Sequence, residues 1–460
     1  MLETDYFSSG ITAFGERVRS GELNFEEATR ACLSRIAQLE PHLQAFEIVD
    51  DVRALSTAKS LDQLLACGTD LGPLMGVCVA VKDIIAVDGL PTTNGSLYTS
   101  DHLTTDEGTL IKRLRAAGCV IIGKTKTVEF ALGATGINEA RGTPWNPWDA
   151  TQHRIPGGSS SGSAVAVAAG LCGFALGTDT GGSVRIPACY NGITGHKTTV
   201  DLWPTDGVFP LSATFDSIGP LCRNVEDASV IHSVVTGQEV QIETSLQGMR
   251  FGKPRDVFFD DLDTEVAAGF DKALNKLQSA GVQIIEFDLP EATERETLFP
   301  LIVGAEIISA LTPEGFTQAR PKMDTVTQSR AALGLDSHAH EYVTAKKRLS
   351  ELEQIAANKF TGLDAWVSPT CPMLPVTIQD IENTEAVAKR ALLSSRNTQI
   401  GNLLKLCAVS IPIPTSAGLP IGFQLMLPAG QDSRLLAVCS TLAHIIGTKE
   451  TADLNRFIDS

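Results

Sequence analysis

Residues 75–83 read MGVCVAVKD, residues 109–118 read TLIKRLRAAG and residues 119–125 read CVIIGKT. The first is a continuous apolar run ending in charge, the pattern of a strand covered on both faces. The second predicts a helix over Thr109–Ala117. Lys112, Arg113 and Arg115 sit toward its C-terminus, where they complement the helix dipole, and Gly118 is its stop. The third is another buried strand. Strand and helix alternate, which predicts a layered α/β fold.

Upstream, residues 1–70 read as a helical N-terminal region. Asn24 is suited to cap a helix, with Glu27 three residues on, and Phe25, Ala28, Cys32, Ile36 and Leu39 share one face. Downstream, residues 71–225 hold the dense motifs. Residues 240–365 are polar, mostly helical in pattern and poor in motifs. Residues 366–460 return to strand runs, as in AVSIPIPTSAGLPIGFQLM (408–426), and close on a helix in SRLLAVCSTLAHIIG. No repeat or long Pro/Gly linker divides the chain, so one domain over 1–460 is expected. A prior of roughly 150 residues per domain would suggest about three.

The 460 residues carry 37 basic and 54 acidic side chains, a net charge of −17. Without Lys/Arg blocks, such a chain is not expected to bind nucleic acid or an anionic membrane. The ten cysteines form no C-x-x-C pair, and several lie in apolar runs, so they read as buried free thiols. MLETDYFSSG lacks a basic region followed by an apolar stretch, which points to the cytoplasm. Residues 155–178 are uncharged, but GGSSSGS would break a spanning helix. A Ser/Gly loop, a buried helix and a buried strand explain them better.

Two motif matches fail on physical grounds. GCVIIGKT (118–125) fits the P-loop pattern. Yet its middle is a β-branched strand, which would hold its glycines roughly 16 Å apart. Lys124 then reads as an ordinary residue after a strand. Gly158-Ser-Ser-Ser-Gly162 fits the nucleophile elbow, which would make Ser160 the nucleophile, but a polar loop precedes it instead of a strand. His196, His232, His338, His340 and His444 follow it without informative context. His232 and His444 lie in apolar helical stretches and read as packed core.

Three features carry chemistry. Lys82 leaves a buried strand, so it must be paired, snorkelling or neutral. Desolvation favours a neutral amine that can act as a base, while an ion pair with Asp83 is the bland alternative. PGGSSSGS (156–163) offers permissive backbone and hydroxyls, or merely a helix cap. In LGTDTGGSVRIP (176–187) a strand end and a Gly-Gly turn can aim N–H groups at an oxyanion, with Ser183 at the turn's end.

GGSSSGSAVAVAAG followed by LGTDTGGSVRIPA resembles the signature motif of the amidase signature family. The 24-residue spacing from Ser159 to Ser183 matches, as do TPWNPWD (143–149), GVFPLSATFDSIGPLCR (207–223) and GLPIGFQLM (418–426). The resemblance is strong over about 70–225, weak at the ends and nearly absent over 240–365. It implies an α/β fold with a mixed central β-sheet surrounded by α-helices, and hydrolysis of a carboxylic amide through an acyl-enzyme.

By the same resemblance Ser183 is the nucleophile. Ser159, after a cis peptide from Gly158, is the bridging serine, and Lys82 is the terminal base. The N–H groups of Thr180, Gly181, Gly182 and Ser183 form the oxyanion hole, and Ser160 supports the site. Asp179 and Arg185 pair to brace the turn, with contact between Arg185 and an anionic substrate as the alternative. Two positions depart from the family: Cys78 where proline is usual, and Thr198 in GHKTT (195–199), also in place of proline.

The resemblance implies no metal or organic cofactor, a small-molecule amide as partner, and allows a homodimer. The substrate itself is not legible, and pocket walls are expected within 300–350. The rival readings are the A subunit of a glutamyl-tRNA amidotransferase and a catalytically silent binding protein on the same scaffold. Retention of all three triad residues argues against the last.

Overall fold

The computed structural model describes residues 2–100, 103–104, 106–413, 415, 418–447 and 451–458. Its centre is one sheet of eleven strands. In chain order they are β1 Phe46–Val49, β2 Cys78–Lys82, β3 Val120–Thr125, β4 Phe174–Asp179, β5 Thr194–Lys197, β6 Ser217–Cys222, β7 Arg250–Pro254, β8 Gln283–Phe287, β9 Ala365–Pro369, β10 Cys407–Ile413 and β11 Ile421–Leu427. Across the sheet the order is β1-β3-β2-β4-β6-β5-β10-β11-β9-β7-β8. β2 runs parallel to β3 and β4, and β7 parallel to β8 and β9. The other pairings are antiparallel, so the sheet is mixed, with helices around it.

The apolar runs behave as their composition dictates. Every residue of β2, β3 and β4 is buried. The stretch 155–178 resolves into a loop, a helix at Ser161–Ala168 and β4. The Asn24 side chain accepts the Glu27 N–H at 2.8 Å, capping the helix Phe25–Leu43, and Phe25, Ala28, Cys32, Ile36 and Leu39 are buried. The closing helix is Asp432–Ile446. β10 and β11 form an antiparallel hairpin, and residues 414, 416 and 417 of its turn lie outside the described residues. All ten cysteines are free, and all but Cys67 are buried.

Two expectations fail here. Residues 1–70 are not wholly helical, because β1 pairs with β3. Residues 240–365 are mostly helical and also hold the strands β7 and β8. β1 and β8 are the outermost strands, and β8 is only partly buried, so its sequence lacks the apolar signal of a central strand. His232 is buried as expected, but His444 is exposed, its ring turned away from the apolar face of its helix.

The register positions the chemistry. Lys82 ends β2 opposite Thr125, and Val81 lies opposite Leu176, so Lys82 projects at the end of the sheet where β4 runs into Thr178 and Asp179. β6 starts opposite the same end, with Ser217 facing Asp179, which brings Asp216 beside it. Among the described residues no single helix is long and apolar enough to cross a membrane.

Candidate active site

Lys82 is fully buried, and its Nζ donates to Ser159 Oγ at 2.7 Å and Thr178 Oγ1 at 2.8 Å. Burial disfavours the ammonium and moves the pKa down to about 7, against the pull of Asp216 and Asp179. At neutral pH an appreciable share of this amine is therefore uncharged. The alternative pairing with Asp83 is overturned. Asp83 is held by Lys124, whose Nζ lies 2.9 Å from Oδ1, and both side chains are buried. Lys124 is thus not an ordinary residue after a strand. It sits inside β3 and occupies the acid that would otherwise compete for Lys82.

The Gly158–Ser159 peptide bond is cis. The Ser159 carbonyl accepts the Thr127 hydroxyl at 3.0 Å and the Val128 N–H at 3.2 Å, while the Gly158 N–H donates to the Ala134 carbonyl at 2.8 Å. A Cβ at Gly158 would lie 2.8 Å from the Gly136 nitrogen, so the backbones meet too closely for any other residue. Ser160 turns away to β4. Its Oγ lies 3.3 Å from both the Thr178 carbonyl and the Thr178 N–H, and its own N–H donates to the Ser183 carbonyl at 3.3 Å. It therefore ties the two serine loops together, and the chain entering it is loop, not strand.

After β4 the chain turns through Thr180, Gly181 and Gly182 to Ser183, which is 8% exposed. Asp179 organises this turn. Its carboxylate accepts the N–H groups of Gly182 at 2.8 Å and Val184 at 3.2 Å, Arg185 Nε at 3.0 Å and Arg185 Nη2 at 2.9 Å. Burial alone would raise the Asp179 pKa, but Arg185 and the hydrogen bonds outweigh it and hold the carboxyl well below its usual range.

One alternative falls and one expectation changes here. Arg185 is fully buried and committed to Asp179, the Thr398 carbonyl at 3.0 Å, Gln424 at 2.7 Å and Asn402, so it braces the turn and does not face a substrate. The Gly182 N–H, expected to be one of four oxyanion donors, is already given to Asp179. Gly182 has φ +126°, and a Cβ there would meet Thr398 Oγ1 at 2.1 Å.

Ser183, Thr180 and Gly181 line a cavity of about 60 Å³. Phe299, Val303 and Arg330 come from or beside the segment expected to form its walls. Ala131–Ala134, Ser395 and Gln399 come from elsewhere. Phe299 stacks on Phe215 with centroids 5.3 Å apart. Of the two departures, Cys78 is buried with its Sγ 3.7 Å from Thr29 Oγ1, and Thr198 donates to the Ile218 carbonyl at 2.8 Å. Neither touches the Lys82–Ser159 bond. Among the described residues no cluster of three or more His, Cys, Asp or Glu side chains could hold a metal ion.

Reading the sequence missed Thr178, Asp216 and Arg330. Asp216 accepts the Thr180 hydroxyl and the Ser212 N–H, the latter at 2.9 Å. The available signal was a threonine and two charges in or beside apolar segments, each of which needs a partner when buried.

Comparison with known proteins gives one consistent picture. The family model described as Amidase matches residues 27–436. The 2-amino-5-chloromuconic acid deaminase of Comamonas testosteroni is 37% identical over 437 residues, covering 94% of this chain and 95% of the relative. The A subunit of the glutamyl-tRNA(Gln) amidotransferase from Acidothermus cellulolyticus is 34% identical, covering 92% of each. A crystal structure of an amidase superposes with a TM-score of 0.87 at 28% identity, covering 95% of this chain and all of the other.

Proposed function

From the premise that this chain belongs to the amidase signature family, and is an enzyme that hydrolyses an amide C–N bond, we propose that Ser183, Ser159 and Lys82 are its catalytic triad. One observation carries this reading: the buried Lys82 amine donates to Ser159 Oγ at 2.7 Å and, among the described residues, to no carboxylate. A serine hydroxyl is a weak nucleophile unless a base takes its proton. Ser159 accepts the Ser183 proton while giving its own to neutral Lys82. Ser183 Oγ bonds to the amide carbon, and the N–H groups of Thr180, Gly181 and Ser183 stabilise the oxyanion. The same relay run backwards protonates the leaving nitrogen, which departs as ammonia or an amine. The protein works as one domain in the cytoplasm.

The pocket supports an anionic substrate. Arg330 lines the Ser183 cavity, donating to the Leu132 carbonyl at 3.4 Å with Asp324 nearby. The Comamonas relative is named for an acid. The test is a panel of primary amides with and without a carboxylate, read by ammonia release. Arg330→Met should raise KM for carboxylated amides and leave neutral ones unchanged. Equal effects on both would remove Arg330 from recognition.

The relation to amidotransferase A subunits supports a second reading, glutaminase within a multi-subunit transferase. Ammonia release by the isolated chain, with amides other than glutamine, decides for the free-standing amidase.

A further inference from the structure

A second cavity lies behind the base. It holds about 160 Å³, room for several waters at about 30 Å³ each. It shares no lining residue with the cavity at Ser183. Asp201, Thr205 and Pro210 line it and are exposed, so this end meets solvent. Thr178, Asp216 and Ser217 also line it, and Thr178 Oγ1 is the second acceptor of Lys82 Nζ, at 2.8 Å. One end of the cavity is thus open, and the other is hydrogen-bonded to the base.

Turnover needs such a route. When the acyl-enzyme is hydrolysed, a water oxygen bonds to the acyl carbon and the bond from that carbon to Ser183 Oγ breaks. One water proton ends on Ser183 Oγ. The other stays on the new carboxylic acid, which ionises near neutral pH and leaves a proton in the site. The relay delivers it to Lys82, and the next cycle cannot begin until Lys82 is neutral again.

We infer that this second cavity is the proton port of the base, and that Asp216 is a positioning residue that holds the cationic form of Lys82 until the proton leaves through it. The inference rests on the reading of Lys82 as base. The charged groups facing Lys82 are Asp216 and Asp179, and Asp179 is committed to Arg185. Asp216 faces Glu306 as well as Lys82. Burial moves its pKa up to about 7, with Glu306 adding and Thr180, Ser212 and Lys82 opposing. Glu306 in turn accepts from Ser212, Thr214 and, at 2.6 Å, Tyr342.

The experiment uses p-nitrophenyl acetate and a fluorophosphonate on the full chain, with Asp216→Asn and Ala213→Leu, the latter adding bulk at the cavity's exposed mouth, where Ala213 lies. Asp216→Asn removes the attraction for the ammonium, so the acid limb of kcat/KM should move to lower pH by about half a unit or more. Ala213→Leu should keep the wild-type fluorophosphonate labelling rate and the initial p-nitrophenol burst. Its steady-state rate should fall at least about tenfold, because proton removal from Lys82 after the burst is impeded. An unmoved limb in Asp216→Asn, or a wild-type steady state in Ala213→Leu, overturns the proposal. Lys82→Ala is the control: activity retained there would defeat the triad reading itself, whereas an inactive Lys82→Ala beside two unaffected variants defeats only the port.

Discussion

Lys124, not Lys82, is the ion partner of Asp83: the two side chains meet at 2.9 Å, both buried. Asp83 follows Lys82 directly in the chain, yet the β2–β3 register turns its carboxylate to the neighbouring strand. The Lys82 amine is thereby left to two hydroxyls. A carboxylate in direct contact would have favoured its protonated form more strongly than these hydroxyls do.

Removing one partner of that pair leaves a buried charge unmatched. Lys124→Met should cost about 3–5 kcal/mol of stability. The double variant Lys124→Met with Asp83→Asn should recover part of it. Urea unfolding of the three proteins, compared at equal m-value, measures this.

The pH dependence follows from Lys82. The amine must be neutral to accept a proton, and its pKa lies near 7, so kcat/KM should rise with pH through about 7 along a single deprotonation. Lys82→Ala should lose about 10²–10⁴-fold in kcat/KM while remaining folded by circular dichroism. A variant retaining more than about a tenth of the activity would take Lys82 out of the triad.

Linkage gives a second pH effect from the same group. The folded pKa of Lys82 is depressed below its unfolded value of about 10.4. The unfolded chain therefore binds more protons between about pH 7 and 10, and stability should rise with pH across that window. In Lys82→Met this contribution should vanish, so the wild-type-minus-variant slope of unfolding free energy against pH isolates it.

The three serines separate by labelling. A fluorophosphonate should attach between Thr178 and Arg185, at Ser183. Ser183→Ala should abolish the adduct, and Ser159→Ala should slow it strongly without moving it. Ser160→Ala should slow turnover less than Ser183→Ala, since its hydroxyl bonds only the Thr178 backbone. An adduct mapped to Ser160 would support the nucleophile elbow instead.

Asp179 tests the brace. Asp179→Ala removes the acceptor of the Gly182 and Val184 N–H groups and strands the buried Arg185 guanidinium, at a cost of about 3–5 kcal/mol. The Ser183 labelling rate should fall with it. Arg185→Lys should also lower both, because one ammonium cannot reproduce the guanidinium's bonds to Asp179, Gln424 and Asn402. Unchanged discrimination between anionic and neutral amides would agree with its burial.

The central strands were legible because β2, β3 and β4 are buried on both faces and their sequences are unbroken apolar runs. β1 and β8 were not, since an edge strand pairs on one side and needs no such run. β7, also missed, is buried only in part. The two serine loops were legible because glycine and serine motifs are local, and Lys82 because it ends an apolar run; the roles proposed for the three residues came from the resemblance to the amidase signature family.

What the sequence determined by itself, then, is whatever is set within a segment: the buried runs, the Asn24 cap, and the two Gly/Ser loops with the serines at their turns. Tertiary structure alone decided the partners. It joined Lys82 to Ser159 across 77 residues and to Thr178 across 96. It gave Asp83 to Lys124 and Arg330 to the Ser183 cavity. It also spent the Gly182 N–H on Asp179, removing one expected oxyanion donor. The reason is physical: a hydrogen bond acts over about 3 Å, and burial sets whether an amine is charged. Both are settled only when strands distant in sequence are laid side by side.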